Sequence, residues 1–235
     1  MFERTHHQHI AEVLLALDAQ FLQENNCLFG GGTAIVLSHG EYRESVDMDF
    51  LVSDLPNYRN IRLLLNGPTG IEAILKKGTS PSIQAREIRA DQYGIRTTLR
   101  VSEQNIKFEI VLEGRIQLET PQADEAICGI STLTRRDMLT SKLLANSDRW
   151  RDDGVFSRDL IDLAMMAPSK KHLTEAITKA SLAYGDSILK DLKKAISSIK
   201  TRQGWLDRCT EAMFITLPKA VLWQRICDLE SRLGS

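Results

Sequence analysis

The segment from Cys27 to Val52 constrains this chain most. An apolar run, Cys27-Leu28-Phe29, enters Gly30-Gly31-Gly32-Thr33. A short apolar stretch then ends at Gly40, and Val46 to Val52 follows with Asp47-Met48-Asp49 inside it. The pattern predicts a buried strand, a glycine turn, a short helix capped by Thr33 and a second strand of strong β character. Side chains two apart on a strand share a face, so Asp47 and Asp49 aim together. Two bare carboxylates so placed repel one another, and a hard divalent cation relieves the repulsion. A glycine turn before a helix lets backbone N–H groups approach phosphate with no Cβ in the way. Together these features outline a nucleoside triphosphate and its metal, Mg2+ (or Mn2+). A diglycine or a D-x-D alone is weak. The glycines match neither the P-loop nor the dinucleotide pattern, and it is the order and spacing of the two motifs that is specific.

The 235 residues suffice for one large domain or two small ones. An apolar content of 43% beside 26% charged residues excludes a disordered chain, and no apolar run is long enough for a bilayer helix. The polar, His-rich start is unlike a secretory signal, which makes the cytoplasm the expected compartment. Cys27, Cys128, Cys209 and Cys227 lack metal spacing and are read as reduced thiols. Charge is uneven: residues 1–130 carry 12 Lys plus Arg against 18 Asp plus Glu, and the rest carry 18 against 13. An acidic front and a basic back suit a chain that holds cations in one part and draws an anion with the other; two ordinary solvated surfaces are the plainer reading.

Ile10, Val13, Leu14, Leu17, Phe21 and Leu22 fall at helical spacing and predict one helix over Thr5 to Glu24. Helices are expected over Asn57 to Leu65 and Ile71 to Lys77. A three-stranded meander follows over Ile83 to Ala90, Ile95 to Val101 and Ile106 to Leu112. Beyond Ser131 the pattern is helical: Thr134 to Asn146 opened by a T-x-x-D box, Arg158 to Met166, Leu173 to Ala183, Ser187 to Ile199 and Lys219 to Leu233. The boundary is drawn near Gly129, giving an α+β domain over 1–129 and a helical domain over 130–235.

On the last meander strand Glu109 shares a face with Lys107, opposite Ile106, Phe108 and Ile110. It is the candidate third carboxylate, to bind a metal and help accept a proton from the attacking hydroxyl. Pairing with Arg96 or Arg100 next door is the plainer alternative. His6, His7 and His9 read as a frayed helix start. Trp150, Trp205 and Trp223 read as core or interface anchors. Lys190, Lys193, Lys194, Lys200 and Arg202 read as a solvated helix face, or as an RNA-backbone contact if the chain acts on RNA.

Gly31-Gly32-Thr33-Ala34, then Gly40, Arg43, Ser45, Asp47 and Asp49, resembles the signature of the AbiEii/AbiGii toxin nucleotidyltransferases, a branch of the DNA polymerase β-like superfamily. Asp137 with Lys142, and Arg158-Asp159 with Asp162, match that family's later motifs. The resemblance implies an α+β fold: a polymerase β-like core with a mixed sheet flanked by helices, followed by an all-helical C-terminal region that completes the nucleotide site. It also implies roles. Asp47, Asp49 and Glu109 hold metal, although the wider superfamily usually has Asp at the third position. Lys142 touches the triphosphate. Asp162 orients that lysine or the base and ribose, with Arg158 paired to Asp162 at i+4. Gly31, Gly32, Thr33, Arg43, Ser45, Arg158 and Asp159 serve nucleotide binding. Arg43 is alternatively a loop anchor, and the Arg158, Asp159 and Asp162 set alternatively stabilises a helix surface.

The implied activity moves a nucleoside monophosphate from an NTP, ATP among them, to an acceptor hydroxyl and releases pyrophosphate. The implied setting is the toxin of a toxin–antitoxin or phage-defence pair, with RNA (a tRNA end) as acceptor, a cognate antitoxin as partner and no membrane. Rivals are a small-molecule or protein acceptor, and a silent nucleic-acid or partner-binding module. No acidic residue follows the glycine turn, as small-molecule branches tend to have. The Gly-Ser and Arg of the protein-modifying branch are absent too.

Overall fold

The computed structural model describes residues 2–78 and 83–233. They form two units: residues 2–38 with 45–78 and 83–134, and residues 39–44 with 135–233.

The first unit is built on a mixed sheet. Its strands are β1 (Leu28–Gly30), β2 (Asp47–Val52), β3 (Ile83–Ala85), β4 (Arg89–Ala90), β5 (Gly94–Val101) and β6 (Gln104–Leu112), in the order β1-β2-β6-β5-β3 with β4 also on β5. Only β2 and β6 run parallel; the other pairs are antiparallel. Period-two alternation makes one face apolar: Met48, Phe50, Ile106, Phe108, Ile110, Ile95 and Leu99 are buried. Phe29, Phe50 and Phe108 pack as tilted rings across β1, β2 and β6, with centroids 5.2 and 5.3 Å apart. That apolar ladder pins the register, since a one-residue slip would turn every phenyl ring to the other face.

The N-terminal helix is two helices, α1 (Thr5–Ala16) and α2 (Ala19–Glu24). Leu17 is extended at the break and bridges Leu75, while Asp18 accepts a hydrogen bond from the Phe21 amide and caps α2. Both halves keep the apolar stripe, so periodicity alone could not reveal the break; Asp18, a strong cap residue in mid-pattern, was the local signal. Helix α3 (Gly31–Ser38) starts at Gly31, which places Thr33 inside it and not at its cap. Asp54 caps α4 (Leu55–Leu65), and Gly70–Ile74 is a single 3-10 turn where a short helix was expected. The first expected meander strand is divided into β3 and β4, and β7 (Ala126–Ile127) with β8 (Ile130–Ser131) forms a hairpin. Cys128 and Gly129 both have positive φ in that hairpin's two-residue turn, so the glycine near which the boundary was drawn is a turn inside the first unit.

The second unit is helical: α5 (Arg135–Arg149), α6 (Arg158–Met165), α7 (Lys170–Tyr184), α8 (Ser187–Thr201), α9 (Trp205–Ala212) and α10 (Lys219–Arg232). Helix α6 is central, packed by α5, α8 and α10 and buried from Asp159 to Ala164. The sequence pattern did not single out α9. Residues 213–216 after it pair with the 39–44 segment: Glu44 N–H donates to the Met213 carbonyl at 3.0 Å, and Thr216 N–H to the Tyr42 carbonyl at 3.1 Å.

Candidate functional site

In the first unit the strand register assembles a row. Gly30 pairs with Asp49, Asp49 with Glu109, and Glu109 with Arg96, across β1, β2, β6 and β5. One step along, Asp47 pairs with Lys107. Asp47, Asp49, Lys107 and Glu109 therefore share the polar face of the sheet, opposite the buried phenyl ladder. Gly31 opens α3 with φ +67°, and a Cβ there would run into the Asp49 carboxylate. Backbone conformation and close approach both demand glycine, which explains the motif physically.

The entry to β2 is held from two sides. Buried Thr33 bonds the Ser45 hydroxyl at 2.8 Å and donates to the Asp47 carbonyl. From α1, His7 is wholly buried and its Nε2 accepts the Ser45 N–H at 3.2 Å. His6 Nε2 bonds the Val46 carbonyl at 3.1 Å. The histidine tract is thus no frayed start but a clamp on the backbone leading into Asp47. His7 lies at i−3 from Ile10 and i−7 from Leu14, in the buried stripe of α1, and that spacing was the available signal.

Glu109 is half-buried and carries two cations: Arg96 Nε on Oε1 at 2.8 Å and Lys107 Nζ on Oε2 at 2.6 Å. Partial burial lowers the Lys107 pKa, but the Glu109 hydrogen bond and the Glu109, Asp47 and Asp49 charges outweigh it and raise the value overall. Among the described residues no three His, Cys, Asp or Glu side chains gather closely enough to hold a metal. Asp47 and Asp49, same-face hard oxygen donors, fit Mg2+, which is commonly held by one or two carboxylates plus substrate phosphates. Glu109 does not gather with Asp47 and Asp49 closely enough to form a three-ligand cluster, and its two oxygens meet Arg96 and Lys107.

The second unit holds a different cluster. Asp162 is fully buried and accepts from the Tyr42 hydroxyl at 2.6 Å and from Arg43 Nε and Nη2 at 2.8 and 2.9 Å, with Lys142 Nζ at 2.7 Å. Asp159 takes Lys142 Nζ at 3.0 Å and a bidentate Arg149, Nε at 2.7 and Nη2 at 3.0 Å. Burial raises the pKa of each carboxyl. The Arg43 and Lys142 charges on Asp162, and Lys142 and Arg149 on Asp159, overcome that and hold both below the usual range. Arg43 is 2% exposed, and its bidentate grip on Asp162 anchors the 39–44 segment. The guanidinium on Asp162 is Arg43's and that on Asp159 is Arg149's, so Arg158 partners neither. Asp137 pairs with Lys179 of α7. Tyr42, Lys107 and Arg149 were missed: their partners lie on other elements, beyond the reach of a local pattern.

Other expectations resolve on the surface. Lys190, Lys194, Lys200 and Arg202 pair with Asp186, Asp191, Glu230 and Asp153, which neutralises most of the basic stretch. Trp205 is buried, whereas Trp223 is 37% exposed. Cys27 and Cys209 are buried, and burial pushes the Cys209 thiol up to about 11. No helix among the described residues is long and apolar enough to cross a membrane.

The family described as nucleotidyl transferase AbiEii toxin, type IV toxin–antitoxin system, matches residues 13–224. The chain belongs to the AbiEii family. No curated protein matches it. Three solved structures share its fold. Two are from Helicobacter pylori, a nucleotidyltransferase and JHP933. Each is 17% identical with a TM-score of 0.55, covering 99% of this chain and 94% or 92% of the other. The third is the nucleotidyltransferase toxin MenT4 of Mycobacterium tuberculosis H37Rv, 14% identical, TM-score 0.50, covering 94% of this chain and 82% of that one. This AbiEii chain is therefore a nucleotidyltransferase of the toxin class, with the mixed α+β fold of such enzymes. The toxin–antitoxin family implies an NTP substrate and a cognate antitoxin.

Proposed function

We propose that this AbiEii protein transfers a nucleoside monophosphate from an NTP to a hydroxyl of RNA, a tRNA end being the favoured acceptor, in the cytoplasm and with a divalent metal. One observation carries the reading: the Asp49 carboxylate fills the space of the missing Gly31 Cβ, with Asp47 beside it on the same face. That juxtaposition brings an anion-tolerant glycine turn against paired carboxylates, the combination phosphoryl transfer needs.

Asp47 and Asp49 would hold Mg2+ (or Mn2+), which when bound neutralises phosphate charge and lowers the pKa of an attacking hydroxyl. Gly31 gives its space to the Asp49 carboxylate, Gly32 lets the backbone at the start of α3 approach phosphate oxygens, and Thr33, Ser45 and His7 fix the backbone that carries Asp47. Glu109 holds Arg96 and Lys107 on the face of the carboxylates, where Lys107 offers a positive charge to phosphate. In the second unit Lys142 supplies phosphate-binding charge. Asp159 and Asp162 position it, and Arg43 and Tyr42 position Asp162.

Purified protein incubated with Mg2+, each labelled NTP and total RNA should place label on RNA. No label with any nucleotide, together with undiminished toxicity of Asp47→Asn, would remove the proposal.

A further inference from the structure

The buried cluster of the second unit has three cations, Arg43, Lys142 and Arg149, against two carboxylates, Asp159 and Asp162. Of these cations Arg149 is the one most open to solvent. The Arg43 and Lys142 side chains are 2% and 7% exposed, and Arg149 is 38% exposed. Arginine has five N–H donors in a planar fork. Arg149 spends two on buried Asp159, through Nε and Nη2, and that bidentate grip fixes the plane of the guanidinium. The remaining donors point away from Asp159 in the geometry that matches phosphate. Lys142, Asn146 and Arg149 follow at i, i+4 and i+7 on α5, one face of the helix. Asn146 is 2% exposed, and its Nδ2 has no hydrogen-bond partner among the described residues, so the same face carries an unsatisfied buried donor. Exposed Asp148 also adds negative charge near Arg149. Asp148 offsets part of the Arg149 charge, so an anion there is held through the free N–H donors of Arg149 beside the Asn146 amide.

We infer that Arg149 contacts the polyphosphate of the incoming nucleotide, held ready by Asp159 and acting beside Lys142. The inference rests on the nucleotidyl-transfer reading. Lys142 and Arg149 share one carboxylate, so their charges are close together. That suits adjacent phosphates of one polyphosphate better than the phosphates of an RNA strand, which lie a whole nucleotide apart.

The test is calorimetric binding of inorganic tripolyphosphate, of ATP and GTP with Mg2+, and of an RNA oligonucleotide to the full chain, with melting temperature measured alongside. Arg149→Gln should weaken tripolyphosphate and nucleotide binding by about ten- to a hundredfold while leaving RNA affinity within about twofold. Arg149→Lys keeps a charge on Asp159 and loses the fork. It should weaken tripolyphosphate several-fold, and it decides the matter if the Gln variant does not fold. Unchanged tripolyphosphate affinity in a folded variant overturns the inference alone. Loss confined to RNA also overturns it and moves the phosphate to the acceptor. Wild-type protein that binds no polyphosphate overturns the nucleotide reading and this inference together.

Discussion

The two units carry acidic side chains in opposite settings. Asp47 and Asp49 stand half-buried on the polar face of a sheet, beside a glycine turn and the Lys107 charge. Asp159 and Asp162 lie sealed within helices, each clasped by two cationic side chains. A half-buried pair on one face keeps repulsion that a ligand can relieve, which suits binding. A buried pair has its repulsion already cancelled, and its worth lies in holding Arg43, Lys142 and Arg149 in place. The same motif letter therefore denotes two kinds of work.

The contrast breaks most readily by neutralising one carboxylate in each unit. Asp47→Asn should cut nucleotidyl transfer by about a thousandfold or more, by analogy with the loss of a key electrostatic group, and leave denaturant stability nearly unchanged. Asp162→Asn should cost about 3–5 kcal/mol in chemical unfolding, because Arg43 and Lys142 remain buried without their counter-charge. If Asp162→Asn were as stable as wild type, the buried cluster would not be the anchor described. Glu109→Gln should fall between: about ten- to a hundredfold in transfer, through release of Arg96 and Lys107. A loss as deep as that of Asp47→Asn would make Glu109 a metal ligand after all.

Smaller effects sharpen the same line. Gly31→Ala forces φ +67° on a residue with a Cβ and pushes on Asp49, which should cost about 1–3 kcal/mol and reduce transfer along with it. His7→Leu leaves the Ser45 N–H buried without its acceptor, at about 1–3 kcal/mol in thermal or denaturant unfolding. The pH response should separate the units as well. Asp159 and Asp162 have depressed folded values, so their contribution is complete above the unfolded carboxylate value of about 3.9 and is lost as pH falls below it. Unfolding followed by circular dichroism between neutrality and about pH 2 should show that decline in wild type and a shallower one in Asp162→Asn.

Much of the fold was legible before any coordinates. The 3.6 period of Ile10, Val13 and Leu14, the alternation over Ile106 to Ile110 and the helical spacing after Ser131 are local signals, written by each element's need to bury one face. The glycine turn and D-x-D were legible for a related reason: their chemistry is compact enough to fit in consecutive residues. The break at Leu17 was not legible in the periodicity, since both helices keep one apolar stripe; Leu17 bridges distant Leu75, and the Asp18 cap is its one local mark. Helix α9 stayed hidden, although the residues just after it, Met213 and Thr216, pair with a segment far upstream.

What the amino-acid order determined by itself is the chemistry available: which side chains can bear charge, which backbone positions can take positive φ, and which faces must be buried. What only the tertiary structure decided is how that charge is spent. Arg43 and Asp162 are 119 residues apart, and so no spacing rule could join them; folding did, by burying both and making each the other's counter-charge. Desolvation makes such pairing obligatory inside the fold and optional at its surface. That is why Arg43 became an anchor while Asp47 and Asp49 stayed at the polar face of the sheet.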